Sequence, residues 1–281
     1  MRPMASLHGY DRRTSSEIRY SVHDCDRCGL GLIAPRPRRE NIATLYEESY
    51  PPWRAPTGLA SLFAEAKAYV VARVPPYGRH RSRGSGRMLD VGLGRGDVAR
   101  AFARSGWETH GLDMSSMAVD VARSRGIDAR LGTFDDPPWP SGSFDLLVLS
   151  HVLEHVADPV QELRRARKLV RGGGSVIVAV PGWDCWQRRV FRNCWAHTDL
   201  PRHLQHFTVP ALNHAARAAG FSGARVRRCT SMVGLPISLR FAIAGKWAYG
   251  PKWRKGFLAA SAASSPLVWA IGRLFGGTAR T

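Results

Sequence analysis

From residue 88 to residue 180, short apolar runs alternate with amphipathic stretches. Residues 88–91 form an apolar run broken only by Asp90, and glycines follow it. Residues 97–105 then place Val98, Ala101 and Phe102 on one face at helical spacing. The pair of patterns returns. Residues 109–112 read as a second strand, 115–125 as a helix, 127–131 as a third strand, and 144–149 as a fourth that is apolar on both faces. Residues 159–170 read as a helix ended by Gly172, Gly173 and Gly174, and 175–180 as a fifth strand stopped by Pro181. A helix at 210–219, closed by Gly220, and a strand at 224–229 extend the series. Strands separated by helices at this spacing predict an α/β fold: a doubly wound, Rossmann-like, mostly parallel sheet.

The flanks read differently. Leu59, Leu62, Phe63, Ala66, Val70 and Val74 fall at helical spacing. Residues 74–86 are rich in Pro, Gly, Ser and Arg, lack apolar positions to pack a core, and read as a linker. Beyond residue 230 the chain turns to Leu, Ala, Ile, Trp and Phe, and residues 256–272 carry no charge. With Pro266 in its middle, that stretch is marginal for a membrane span and reads as helices packed as a lid or lying on a membrane surface. The predicted organisation is an N-terminal segment 1–73, a linker 74–86, the α/β domain 87–230 and an apolar helical segment 231–281. The sheet thus carries helical appendages at both ends.

Composition changes this picture in one respect. The chain has 281 residues, 44% hydrophobic and 22% charged, which excludes wholesale disorder and a collagen-like repeat. Lys and Arg number 41 against 22 Asp and Glu, a formal charge of +19. Such a surplus suits nucleic acid or an anionic surface. Only five of the basic residues are lysines, however, and the arginines run from Arg2 to Arg280 without gathering into one stripe. No specific nucleic-acid partner is expected. The positive clusters that stand out are Arg79 to Arg87, Arg164 to Arg171 and Lys246 to Lys255, the last beside the uncharged stretch. Residues 246–275 are therefore the candidate peripheral contact with an anionic membrane. Five cysteines do not make a disulfide framework, and residues 1–10 lack the apolar run of a signal peptide. A cytoplasmic protein is expected, membrane-associated if the tail engages lipid.

The chemistry begins at residues 89–96, LDVGLGRG. Gly92, Gly94 and Gly96 follow the first strand and precede a helix, where an open α/β sheet binds its cofactor. Glycine serves there because a Cβ would hold off a ligand and the turn can require positive φ. Asp113 ends the second strand and suits both hydroxyls of a ribose. A dinucleotide fingerprint would carry Gly or Ala where this chain has Asp97, and Asp90 adds a second carboxylate. Both acids repel a pyrophosphate and accept the cationic sulfonium and amino group of S-adenosylmethionine.

These residues resemble class I S-adenosylmethionine-dependent methyltransferases, and the resemblance spans residues 87–229. It implies S-adenosylmethionine as cofactor, held by Asp90, Gly92, Gly94, Gly96 and Asp113. It also implies Thr133 and Phe134 beside the adenine, with Thr133 where the family commonly has an acid, and Ser150 at the end of the fourth strand. The runs at 144–159 and 172–181 are similar to the subgroup that includes ubiquinone-pathway methyltransferases. The DLPRHLQHFT segment at 199–208 resembles one that recurs in that subgroup.

Residues 151–155, His-Val-Leu-Glu-His, spell an inverted zinc-protease motif. That motif belongs inside a longer helix, and here it follows a buried strand, so His151 is read as facing cofactor and acceptor, and His155 as a helix-start residue bonded to backbone. An O-methyl acceptor must lose a proton, and histidine is matched to that near neutral pH. His203 or His206, or His151 opposite, is the candidate catalytic base, with Arg202 orienting an acidic acceptor. The plainer reading is that His203 and His206 tie their loop to the sheet. Cys25 and Cys28 have zinc-knuckle spacing, and the stretch 20–50 resembles an N-terminal zinc-binding module of some such methyltransferases. Four ligands are needed, and the module's earlier cysteine pair is missing. The site is degenerate, or His8 or His23 substitutes, or the chain begins downstream of the true start.

The expected function is methyl transfer to a small-molecule acceptor, at oxygen in the first place and at carbon in the second. A quinone-like or lipid acceptor suits the apolar tail; a sugar suits the N-terminal module. The other expectation is a non-catalytic, basic, membrane-facing binding protein that retains the fold.

Overall fold

The computed structural model describes residues 7–11, 18–46, 77–81, 85–228 and 234–244. The candidate helix at 59–74 and the tail at 246–275 lie outside these residues. The described strands are β1 (Leu7–Tyr10), β2 (Arg19–Asp24), β3 (Gly31–Ala34), β4 (Arg87–Val91), β5 (Glu108–Asp113), β6 (Asp128–Leu131), β7 (Phe144–Ser150), β8 (Val170–Ala179) and β9 (Gln205–His206). The helices are α1 (Gly78–Arg81), α2 (Asp97–Ala103), α3 (Ser116–Ser124), α4 (Pro159–Leu169), α5 (Trp186–Phe191), α6 (Val209–Ala218) and α7 (Gly234–Ala244). The chain divides into two compact units, one of residues 1–39, 181–214 and 225–281, the other of 40–180 and 215–224. These units cut the chain differently from the boundaries that composition suggests.

The larger unit holds the predicted parallel sheet, in the order β6-β5-β4-β7-β8. Every neighbouring pair is parallel, and the order reverses between β4 and β7. Burial explains the composition of the central strands: Met88, Leu89 and Val91 in β4 and Leu146 to Leu149 in β7 are buried on both faces. The helices begin where the sequence supplies caps. Ser115 accepts the Ala118 N–H at 3.3 Å to start α3, and Asp158 accepts the Gln161 N–H at 3.0 Å, with Pro159 in the first turn of α4. Strand β8 starts earlier than the apolar pattern indicates. Val170 pairs with Phe144, Ser175 pairs with Leu146, and the intervening glycines absorb the register shift.

Two expectations need correction. Residues 224–228 form no strand, because this arginine-rich stretch has no buried alternating face. Tyr77, inside the presumed linker, is buried against Met88, Phe102, Trp107, Leu146, Val148 and Ile177. One aromatic side chain is enough to tie a Pro/Gly-rich stretch to a core.

The other unit contains an antiparallel sheet that was not foreseen, in the order β1-β2-β3-β9. Its strands are short, and β9 has only two residues, which is below what an alternation pattern can reveal. Trp183, Trp195, Leu200, Leu204 and Phe207 fill its core. Arg202 is buried there too. It donates to both carboxylate oxygens of Asp11, at 3.1 and 2.6 Å, and its Nε donates to Asp199 at 3.1 Å. Removing one partner of such a buried pair strands the other charge in low dielectric. We therefore expect Arg202→Ala to lower unfolding free energy by roughly 3–5 kcal/mol in urea denaturation. An unchanged midpoint would show that Asp11 and Asp199 rehydrate without cost.

Candidate active site

Parallel pairing in register brings the carboxyl ends of the strands to one edge. Val91 pairs with Leu112, Asp113 with Leu131 and Ser150 with Ala179. This edge beside the β4/β7 reversal is where an open parallel sheet leaves a crevice. The glycine loop, Asp113, the segment 132–134 and residues 150–151 all follow from it.

Gly92, Gly94 and Gly96 each adopt left-handed backbone, with φ of 64°, 53° and 71°. A Cβ at Gly92 would stand 2.7 Å from Val152 Cγ2, and one at Gly96 would stand 2.3 Å from Ile127 Cδ1. Both conformation and space thus require glycine. The turn is anchored at both ends of β5's last peptide: Gly92 N–H donates to Leu112 O at 2.8 Å, and Gly94 N–H donates to Asp113 Oδ2 at 2.9 Å. Asp113 Oδ1 accepts from Ser115 N–H at 2.9 Å.

Asp90 is buried and accepts the Ala99 N–H at 3.3 Å, replacing the cap that Gly96 cannot provide for α2. Burial pushes its carboxyl up to about 7, against the pull of that N–H, and the Asp113 and Asp97 charges push it further. Burial likewise raises Asp113, although three backbone N–H groups oppose it. Asp97 differs from the expected open acid. Arg95 binds it at 2.8 Å and Arg125 at 2.6 Å, so although burial raises it, the two guanidiniums hold it below the usual carboxylate range. It clamps α2 to the end of α3 and contributes no free charge to the crevice.

Phe134 is buried, Thr133 is exposed, and Gly132 N–H binds Asp113 O at 2.9 Å, which ties this segment to the end of β5. Ser150 Oγ lies 2.9 Å from the Tyr77 hydroxyl. His151 has φ of 59°, a strained value for a residue with a Cβ, and its exposed ring hydrogen-bonds through Nδ1 to buried Glu154 at 3.0 Å. Residues 151–155 form turns and bends, so the two histidines do not share a helix face and the zinc-protease geometry is absent. His155 bonds through Nδ1 to the Tyr46 hydroxyl at 2.7 Å, beside the backbone bond from His155 N–H to Val152 O at 2.9 Å. Glu154, Tyr46 and Tyr77 carried no signal in sequence, since a carboxylate inside a motif and tyrosines in polar stretches are ordinary on a surface.

The remaining candidates belong to the other unit. His203 Nδ1–H donates to His197 O at 2.8 Å, and buried His206 stacks on Trp183 with ring centres 4.3 Å apart. Arg202 is committed to Asp11 and Asp199. Cys25 and Cys28 flank the β2–β3 turn, where Gly29 N–H donates to Cys25 O at 2.7 Å and Gly29 has φ of 70°. Backbone N–H groups lower the Cys25 thiol, and burial raises that of Cys28. Among the described residues no further His, Cys, Asp or Glu joins the two thiols in a group that could hold a metal. These residues supply two of the four ligands zinc requires.

A doubly wound sheet with a left-handed glycine turn and an acid at the end of the second strand defines a nucleoside-binding α/β protein. The family described as a methyltransferase domain matches residues 62–225, more than half the sequence, and the chain belongs to it. A ubiquinone biosynthesis O-methyltransferase of Alkalilimnicola ehrlichii is 36% identical over 103 residues, covering 32% of this chain and 40% of that protein. An uncharacterized protein of Methanocaldococcus jannaschii is 24% identical over 151 residues, 54% of this chain and 66% of that protein. The chain thus spans less than two thirds of the length of these relatives. The crystal structure of a putative sarcosine dimethylglycine methyltransferase from Galdieria sulphuraria shares the fold, with a TM-score of 0.50 and 14% identity, over 78% of this chain and 83% of that one.

Asp90 generates a pH prediction. Because its folded-state value of about 7 lies above the ordinary 3.8, the native protein holds a proton that the unfolded chain has released. Its contribution is therefore lost as pH rises through 7. Asp90→Asn should gain stability relative to the wild type by up to about 4 kcal/mol between roughly pH 4 and pH 8. Urea unfolding at several pH values checks this; a constant difference would place the Asp90 carboxyl in its ordinary range.

Proposed function

We propose that this chain transfers the methyl group of S-adenosylmethionine to a small-molecule acceptor, with oxygen the favoured accepting atom. The observation that carries the reading is the turn at Gly92, Gly94 and Gly96, tied to the buried acid Asp113 at the reversal of strand order. Family membership and the ubiquinone-pathway names among its relatives support it. A quinone-like phenol fits those names. Lipid and sugar acceptors share the need for a positioned hydroxyl, and carbon acceptors the need for a positioned carbanion.

The residues fit the cofactor chemically. When bound, S-adenosylmethionine supplies a methyl on a cationic sulfur, already activated for in-line displacement. Asp113 would take the ribose hydroxyls, Thr133 and Phe134 would border the adenine, and the glycine turn would let the backbone approach the amino acid portion. Asp90 adds negative character on the cationic side once it ionises. Ser150 and His151 stand at the end of the fourth strand, and their task is to align the acceptor.

His151 is our candidate base. Its Nδ1–H donates to Glu154, which orients the ring, and Nε2 is the atom assigned to take the proton of the acceptor hydroxyl. Glu154 is a positioning residue. His203 and His206 are buried in the other unit, and their contacts suit structural roles. The catalytic reading is favoured over a non-catalytic binding protein by the strained His151 and its buried partner Glu154, which stand beside the glycine turn and Asp113 at the strand ends.

For the membrane reading, no described helix is long and apolar enough to cross a bilayer, and residues 246–275 are not among those described. Flotation of the full chain with anionic liposomes, against a form ending near residue 230, tests the tail. Equal behaviour of the two removes it.

Calorimetry should detect S-adenosylmethionine and S-adenosylhomocysteine, and Asp113→Ala should weaken both by about tenfold or more. No binding to the wild type would discard the function. With an accepted substrate, His151→Ala should lower turnover by about 100-fold while leaving cofactor affinity intact. Glu154→Gln should shift the acid limb of the pH–rate profile. If His151→Ala turns over normally, or only His203→Ala and His206→Ala lose activity at unchanged melting temperature, the base lies elsewhere.

A further inference from the structure

Arg188 lies in α5, its guanidinium carbon 3.8 Å from the centre of the Trp183 ring. That indole is buried and firmly held. Its N–H donates to Asp24 Oδ1 at 2.7 Å, and the His206 ring stacks on it. The cation–π contact offsets part of the guanidinium's desolvation.

What the guanidinium lacks is an acceptor. Its Nε is buried with no hydrogen-bond partner, and no carboxylate comes within ion-pair distance of it among the described residues. Asp24, the acid whose field it feels, is engaged by the indole, while Arg189 adds a like charge. Burial pulls Arg188 below the usual arginine value, a sign that its charge is held at some expense. Two other arginines of this unit are satisfied, Arg202 by Asp11 and Asp199, and Arg228 by Asp184. A partly buried guanidinium with open N–H groups costs free energy until an anion completes it.

We propose that Arg188, held over the face of Trp183, is the docking point for an oxyanion, carboxylate or phosphate, carried by a small-molecule ligand of this unit. A planar fork of N–H donors meets such a group bidentately, and one charged contact anchors it without a metal. The anion site does not depend on the function proposed above.

Calorimetric titration of the full chain with sodium benzoate and with sodium phosphate at low salt tests the site, with benzamide as the neutral control. At least one anion should bind, weakening as salt rises, and benzamide should not. The anion that binds tells a carboxylate ligand from a phosphate ligand. Arg188→Gln should lower anion affinity by about tenfold or more, Arg188→Lys should retain part of it, and exposed Arg189→Gln should match the wild type. Absence of saturable anion binding to the wild type overturns the proposal. So does undiminished binding by Arg188→Gln. S-adenosylhomocysteine, titrated into the same samples, separates the two readings. An unchanged melting temperature and near-UV circular dichroism spectrum of Arg188→Gln certify the fold of the variant. Anion binding without S-adenosylhomocysteine binding sustains the site and removes the methyltransferase reading.

Discussion

The bond from Gly94 N–H to the Asp113 carboxylate is the contact on which the cofactor edge depends. A buried carboxylate demands donors, and a left-handed turn leaves its N–H groups pointing inward without partners of their own. Each satisfies the other. The bond then fixes the distance between the ends of β4 and β5, and the Gly132 N–H to Asp113 O bond extends the same constraint to β6. A side chain at Gly92 or Gly96 would break the arrangement twice, through φ and through contact with Val152 or Ile127.

Charge in this unit is organised by pairing more than by sum. The chain carries +19, yet the edge that would meet a cationic cofactor is acidic. Of its three acids only two are open in character. Asp97 is neutralised by Arg95 and Arg125 and serves as a brace, whereas burial keeps Asp90 and Asp113 above the ordinary carboxylate range. The electrostatic case against a pyrophosphate therefore rests on Asp113, joined by Asp90 once it ionises.

The unit built on β1, β2, β3 and β9 solves the opposite problem. Here cations are buried in an aromatic interior, and each must find an acid or a ring. Arg202 has Asp11 and Asp199, which is why it is a poor candidate for binding substrate; among the described residues Arg188 has the face of Trp183 and no ion pair. Two arginines fourteen positions apart, indistinguishable by residue type, are thus separated by what surrounds them.

Periodicity and local chemistry were enough to determine the parallel sheet, its helices, the glycine turn and Asp113, because these depend on contacts within a few residues: alternation, caps and turn conformation. Strand β8 started early, and residues 224–228 formed no strand, because pairing partners and buried faces are supplied by distant chain. The short antiparallel sheet was not legible, since β9 is two residues long and forms only against β3. In the candidate site, sequence indicated His151 but not Glu154 as its partner, treated Asp97 as open, and gave Arg202 a task that burial denies it. Tertiary structure decided those points for one physical reason. The protonation, orientation and availability of a charged side chain are set by the groups packed around it, and those groups come from parts of the chain that no local pattern joins.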